Sequence, residues 1–384
     1  MKVLCRAPLL SLSGYGTHAR QVFKWLISNS KLDVHCQILN WGMTPWMINP
    51  EMEGGIVGEI MRRSSPHPGK YDVSVQLQLP NEWDPSQANV NIGMSAFVEA
   101  DKCNPQWLEA CNSMSHVVVP STFVKKTIES TGAVKTPISV VSESFPDQVL
   151  GKASPLDLEL QTDFNFLLFG QMTGNNPEND RKNTFYTLKW LCEIFSKDPK
   201  VGIIVKTNHG SNCTLDKKHT ENVFRQLLNE VRPGPFPRVY LLHGEMESAD
   251  VVSLYRNDKI KALVAATRGE GFGLPILEAA ACDLPVIATN WSGHLDFLNL
   301  GKFVKLESQL KDVHPSKHDG LIFMPGMKWA DISEQEFKKK VQKFRESSQV
   351  PKEWAIDLGA KVRENFSHSA ISRSYDREIG QYFR

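Results

Sequence analysis

Two glutamates with seven residues between them, Glu270 and Glu278, stand in the run Arg268-Gly-Glu-Gly-Phe-Gly-Leu-Pro-Ile-Leu-Glu278-Ala. Glycines occupy positions 269, 271 and 273. A carboxylate can accept two hydrogen bonds from a vicinal diol, so the pair suits the hydroxyls of a sugar and of a ribose. Glycine lets backbone approach a ligand closely. The first turn of a helix offers N–H groups and a positive dipole end to a diphosphate. The pattern reads as a strand over Val264 to Thr267, a loop over Arg268 to Leu274, a helix, and a strand after Pro285. Pro275 falls at the expected first helical residue, where its missing N–H costs nothing. Glu278 is placed in the first turn of that helix. Both carboxylates then stand at one mouth of the sheet, where parallel α/β sheets bind ligands. The rival reading is a surface loop with two solvated glutamates. The strand-loop-helix context makes it the lesser one.

This segment resembles the signature of glycosyltransferase family 4 (group 1), the large retaining family of GT-B fold. The resemblance implies that Glu270 binds donor-sugar hydroxyls at the catalytic centre and that Glu278 binds the ribose. It also implies that backbone through Gly271, Phe272, Gly273, Leu274 and Pro275 meets the phosphates. The run Gly14-Tyr15-Gly16-Thr17-His18 resembles the family's N-terminal glycine loop, which faces the donor diphosphate. Gly14 and Gly16 would allow close approach there. His18 would contact donor or acceptor, with a packing role as the equal alternative. Asp180-Arg181-Lys182-Asn183 opens a helix where the family sets a basic residue against the donor phosphates. Arg181 and Lys182 carry that role over. Gln171 stands where the family often has arginine. The turn His243-Gly244-Glu245-Met246 would meet the nucleobase. On the acceptor side, Glu99 follows the strand NIGMSAF, against the alternative of a solvated loop acid. Trp41, Trp46 and Trp83 are stacking candidates, though tryptophan is more often core. The resemblance implies transfer with retention, in which the leaving phosphate helps deprotonate the acceptor. No metal or other cofactor is expected, and the cleft segments show no HExxH or DxD-like metal cluster.

The elements that must position these residues follow from hydrophobic periodicity. Strands alternate with helices from Lys2 to the strand ISVVSES, and again from FNFLLFG to PVIATN. Such alternation implies parallel sheets covered by helices, hence an α/β chain. The first helix is read as HARQVFKWLISN, after a loop from Pro8 to Gly16. Ser121 caps the helix TFVKKTIEST, which closes at Gly132. A polar stretch from Phe145 to Asp163, with Pro146, Gly151 and Pro155, reads as a linker. The expected organisation is GT-B: a Rossmann-like acceptor-side domain over 1–150 and a nucleotide-sugar-binding domain over 160–366, facing a central cleft. A terminal helix over 367–384, with a stripe of Ile371, Tyr375, Ile379 and Tyr382, is expected to pack back on the first domain.

The 384 residues are 41% hydrophobic and 23% charged, with a net charge of +1, as in ordinary globular chains. The run FKKKVQKF is a solvated helix face, not a nucleic-acid arm. The seven scattered cysteines form no CxxC pair and suit a reducing compartment. No membrane-length apolar run occurs, Arg6 breaks any secretory signal, and a cytoplasmic protein is expected. The expected partners are a nucleotide-sugar donor, with UDP-sugar as first choice, and an acceptor left open among glycan, lipid, protein and hydroxymethylated DNA base. Two other functions compete. One is a non-catalytic nucleotide-sugar-binding protein. The other is an NAD-dependent oxidoreductase, disfavoured because QILNWG lacks the acid that a ribose of NAD would want.

Overall fold

Short runs such as Val117-Val118-Val119 and Ile203-Ile204-Val205 carry apolar side chains on both faces. That pattern belongs to parallel strands covered on both sides by helices, and both runs are wholly buried. A computed structural model describes residues 1–65, 69–153, 156–170, 176–210 and 213–384. Pro155 and Gln171 lie outside the described residues. The chain divides into two compact units. One comprises Met1–Ser144, Gly320–Met324 and His368–Arg384, and the other Phe145–Asp319 and Pro325–Ser367. Among the described residues no helix is long and apolar enough to cross a membrane.

The first unit holds strands β1 (Lys2–Ala7), β2 (Asp33–Ile38), β3 (Tyr71–Leu77), β4 (Ala88–Met94), β5 (His116–Val119) and β6 (Ile138–Val140). They form one parallel sheet in the order β2-β1-β3-β4-β5-β6. Its helices are α1 (Gly14–Ser28), α2 (Ile56–Arg62), α3 (Gln106–Ser113) and α4 (Thr122–Thr131). As the sequence indicated, Ser121 caps α4, its hydroxyl accepting from the Val124 amide at 3.2 Å.

Helix α1 starts earlier than hydrophobic periodicity indicated. The Ser13 hydroxyl accepts from the Gly16 amide at 3.0 Å and so caps the helix at Gly14. Gly14, Tyr15 and Gly16 are therefore its first turn rather than a loop. A Cβ on Gly16 would lie 2.0 Å from the Ser11 carbonyl oxygen, whereas one on Gly14 would meet nothing within 4 Å. The glycine at 16 answers the chain's own turn.

A terminal helix, His368–Glu378, belongs to this unit. Tyr375 stacks on Trp25 with ring centroids 4.9 Å apart, and Trp25 Nε1 donates to Asp376 at 2.9 Å. Ile371 and Ile379 are buried, each worth about 1.5–3 kcal/mol by removal from water. Beyond Ile379 the chain tightens into a 3₁₀ turn, Gly380–Phe383. That change of pitch buries Phe383, where the helical spacing had pointed to Tyr382.

The second unit holds β7 (Phe164–Phe169), β8 (Val201–Thr207), β9 (Arg238–His243), β10 (Ile260–Ala265), β11 (Val286–Thr289) and β12 (Val304–Leu306). Its sheet runs β12-β11-β10-β7-β8-β9, all parallel. A hairpin pairs β13 (Gln309–Asp312) with β14 (Lys328–Asp331). Helices are α5 (Thr184–Ile194), α6 (Thr214–Val231), α7 (Ser248–Tyr255), α8 (Leu274–Ala281), α9 (Leu295–Leu298), α10 (Glu334–Glu346) and α11 (Gln349–Asn365). An aromatic-rich core of Phe164, Phe166, Trp190, Phe195, Phe337 and Phe344 fills one side of the sheet. From β7 the chain builds outward through β8 and β9, then returns to β10 on the other flank. The reversal leaves a crevice beyond the carboxyl ends of β7 and β10, the place where doubly wound sheets bind ligands.

Strand β10 ends at Ala265, two residues before the reading from sequence. Helix α8 starts at Leu274 with Pro275 second, so Glu278 opens the second turn instead of lying in the first.

The two glycines of α1 should behave differently. Gly16→Ala should lower stability by about 1–3 kcal/mol, because the new methyl group overlaps backbone. Gly14→Ala should be neutral or stabilising by up to ~1 kcal/mol, since it only restricts the unfolded chain. Thermal melts of both variants decide this, and equal losses would remove the packing account of Gly16.

Candidate functional site

In the second unit the segment before α5 is stitched to the end of β10. Asp180 accepts from the amides of Lys182 at 3.0 Å and Thr184 at 2.6 Å. The Asn183 side chain donates to the Ala266 carbonyl at 3.1 Å, and the Arg268 amide to the Arg181 carbonyl at 2.8 Å. These bonds aim two cations at the glycine loop. Lys182 Nζ donates to both Glu270 oxygens, at 2.8 and 3.1 Å. Arg181 Nη1 donates to Glu270 at 3.2 Å and to the Gly269 carbonyl at 2.7 Å.

Glu270 is only 6% exposed. Burial raises its pKa, but Lys182 and Arg181 outweigh burial and hold it at about 2. It is therefore ionised throughout the neutral range. Two cations face one carboxylate, with the buried carboxylate of Asp180 beside Arg181.

The turn after β11 locks this loop from the other side. The Glu270 amide donates to the Ser292 hydroxyl, and the Gly293 amide to the Glu270 carbonyl, both at 2.9 Å. A Cβ on Gly293 would sit 2.1 Å from the Gly271 carbonyl oxygen. Ser292 itself has φ +90°, in the left-handed region. His294 is buried and hydrogen-bonded to the Thr289 carbonyl at 2.7 Å, and burial lowers its pKa.

Gly273, at φ +102°, turns the chain into α8, whose N-terminus carries no side-chain cap. Phe272 is buried against Phe297 and Phe366, with centroids 5.4 and 6.3 Å away. Its side chain belongs to the core, so Phe272 itself offers a ligand only its backbone. Glu278 is half-buried and accepts from the Tyr255 hydroxyl at 3.1 Å. Burial pushes its pKa up to about 7, and the Tyr255 hydrogen bond opposes that rise.

Gly244 follows β9 with φ +105°, which favours glycine. Its carbonyl accepts from Lys206, which also donates to Asn208 at 2.8 Å. Burial lowers the Lys206 pKa to about 8. Sequence reasoning passed over Lys206, yet a lysine inside the apolar run VGIIVKT is the exception that could have marked it. It also passed over Tyr255, and it named Arg268 as the start of the glycine loop without giving its side chain a role. Buried Arg268 pairs with Asp331 of β14 and lies over Trp329, while its carbonyl accepts from the Ala330 amide at 2.9 Å. These bonds tie the hairpin to the glycine loop. Among the described residues no group of three or more His, Cys, Asp or Glu is placed to hold a metal ion.

The remaining candidates belong to the first unit. His18 is buried, shares a 2.9 Å hydrogen bond with the Tyr375 hydroxyl, and is kept neutral by burial, which lowers its pKa to about 3. Its other ring nitrogen, Nδ1, lies 4.0 Å from a carboxylate oxygen of buried Glu143. Glu99 is half-buried after β4. Burial first, with the charges of Glu99 and Glu143 adding, raises the pKa of Tyr15. Trp41 stacks on Tyr15 at 3.9 Å, and Trp46 is 41% exposed. Trp83 is core, edge-on to Phe97 at 6.2 Å.

Gly293→Ala should disturb the glycine loop directly, since its methyl group cannot coexist with the Gly271 carbonyl. A loss on the order of 1–3 kcal/mol is expected. Thermal melting and amide exchange at Glu270 and Gly271 check this, and an unshifted melt with native protection would disprove the interlock.

Comparison with known proteins bears on the fold and on one segment of the chain. Residues 238–335 match the family model described as glycosyl transferases group 1. That stretch runs from β9 into α10 and contains Glu270 and Glu278. The sucrose-phosphate synthase of Thermosynechococcus elongatus superposes with a TM-score of 0.63 at 12% identity, over 100% of this chain and 99% of that one. Anabaena Alr3699/HepE, solved in complex with UDP and glucose, superposes with a TM-score of 0.62 at 16% identity, over 99% of each chain. At such identities the likeness is one of fold. No curated protein sequence matches the chain significantly. The two Rossmann-like units are those of the GT-B fold, and with the group 1 segment they make this chain a glycosyltransferase.

Proposed function

We propose that the protein transfers a sugar from a UDP-sugar to a hydroxyl acceptor with retention of anomeric configuration. The observation that carries this reading is the Lys182–Arg181–Glu270 cluster at the carboxyl end of β10. A carboxylate there can take sugar hydroxyls, and two adjacent cations can take a diphosphate. The Anabaena relative of similar fold, solved with UDP and glucose, favours uridine as the base.

In this reading the donor's diphosphate draws Arg181 and Lys182, which exchange part of their bonding to Glu270 for phosphate oxygens. Backbone from Gly271 to Leu274 and the dipole of α8 add to the phosphate site. Glu270 accepts from hydroxyls of the transferred sugar. Glu278 accepts from the ribose, and Gly244 lies at the base. The bond between C1 of the sugar and the phosphate oxygen breaks, and its electron pair stays on the phosphate. The acceptor oxygen bonds to C1 on the same face, and its proton passes to the departing phosphate. The protein's part is to stabilise charge on the leaving group. Its side chains supply neither the nucleophile nor the base, and no metal or other cofactor is assigned. Glu99 and His18 are assigned to the acceptor side, His18 as a neutral ring. The protein would work in the cytoplasm.

The direct test is a thermal-shift screen of UDP, GDP and ADP with their sugars, followed by product analysis with the best donor. UDP should give the largest shift, and the anomeric configuration should be retained. A protein that no nucleoside diphosphate stabilises, or a product of inverted configuration, would defeat the proposal.

Replacing both cations, as in Arg181→Gln with Lys182→Gln, should weaken UDP binding by ~1.5–3 kcal/mol for each charge-assisted hydrogen bond removed. Uridine, which lacks the phosphates, should lose far less. Calorimetry with both ligands decides it, and equal losses would place these cations elsewhere.

A further inference from the structure

Tyr255 ends α7 and is 1% exposed, although it carries a polar hydroxyl. A buried tyrosine hydroxyl needs a partner, and this one donates to Oε2 of Glu278 at 3.1 Å. Its ring is held in place by stacking on Phe169, at the end of β7, with centroids 5.6 Å apart and planes at 27°. Burial first, and then the charge of Glu278, raise the pKa of this phenol well above its ordinary value. The hydroxyl therefore keeps its proton and donates it. Tyr255 is the one side chain that hydrogen-bonds Glu278 among the described residues, so Oε1 remains for a ligand.

We propose that Tyr255 is the positioning residue of the donor's ribose subsite: by occupying Oε2 of Glu278 it reserves Oε1 for the ribose hydroxyls and holds the carboxylate as an acceptor. This inference rests on the reading of Glu278 as the ribose residue. A protonated Glu278 would carry a donor hydrogen and accept less well from a diol. Burial favours that protonated form up to about pH 7, and the Tyr255 hydrogen bond works against it. The other titratable groups around the pair are few. Cys282 lies one turn further along α8. Arg256, next to Tyr255, donates to the carbonyls of Val149 and Gly151. Asp283 and Arg363, from the end of α8 and from α11, pair with each other at 2.7 Å.

The sign follows. Loss of the hydroxyl removes a bond to the ionised form, so the pKa of Glu278 rises and ribose binding demands a more alkaline medium. Calorimetry of UDP with the wild-type protein, Tyr255→Phe and Glu278→Gln, from mildly acidic to alkaline buffer, makes the test. Wild-type affinity should fall as the pH drops through about 7. Tyr255→Phe should bind about three- to tenfold more weakly at neutral pH, the size of one net hydrogen bond, and should recover in alkaline buffer. Glu278→Gln should be weakened at every pH, without that inflection. If Tyr255→Phe does not fold, the wild-type protein still decides the question with 2′,3′-dideoxyuridine diphosphate. That ligand lacks the ribose hydroxyls and should show only the titration of its own phosphates. A Tyr255→Phe profile that superimposes on wild type, or a loss equal at all pH values, overturns the inference while leaving the donor reading intact. A dideoxy ligand that reproduces the UDP profile overturns the inference together with the ribose role of Glu278, and leaves the diphosphate contacts standing. Absence of UDP binding to the wild-type protein at any pH overturns both.

Discussion

A carboxylate sunk almost wholly into protein is the constraint on which the second unit is organised. Glu270 has lost most of its water, and an isolated buried charge would cost several kcal/mol. Lys182 and Arg181 remove that cost, but both reach it from a segment 88 and 89 residues away in the chain. The ion pairs therefore force the approach to α5 against the loop that follows β10. Asn183 and Asp180 complete the seam with bonds to backbone. The result is a pair of cations held on one carboxylate at the reversal point of the sheet.

Backbone packing rather than side-chain bulk holds that site in shape. The turn after β11 lies so close to the glycine loop that Gly293 admits no methyl group. Ser292 accepts a left-handed conformation there, a strain compensated by its hydroxyl receiving the Glu270 amide. Arg268 anchors the same loop to the β13–β14 hairpin. A loop tied on three sides loses little entropy when a ligand arrives, which is what a preorganised anion site requires.

The first unit has a similar plan with a different use of its polar groups. Its glycine at 16 makes room for the Ser11 carbonyl, and His18 turns inward to Tyr375. Buried His18 refuses a proton that the unfolded chain would take. Its contribution thus weakens stability as the pH falls below the ordinary histidine range toward about 3. The terminal helix, anchored through Trp25, Tyr375 and Ile379, is part of this unit's core rather than an appendage.

Much of this architecture is legible in the sequence because it is written in local period and local capping. The helix Thr122–Thr131, between its Ser121 and Gly132 caps, is readable to the residue. So is the spacing of Glu270 and Glu278, since carboxylates, glycines and Pro275 follow one another within a single strand-loop-helix unit. The start of α1 escapes such a reading because the Ser13 cap overrides the glycines that signal a loop. Tyr382 stands out over Phe383 in the helical spacing because nothing local announces a switch from α to 3₁₀ pitch. The partners of Lys206, Tyr255 and Arg268 emerge only with the tertiary structure. Each of these residues acts on a partner between 23 and 63 residues distant. Sequence alone thus determined which residue types could bind a sugar nucleotide and the elements that carry them. The folded chain decided which charges meet, since burial and proximity depend on strand order in the sheet and not on separation along the chain.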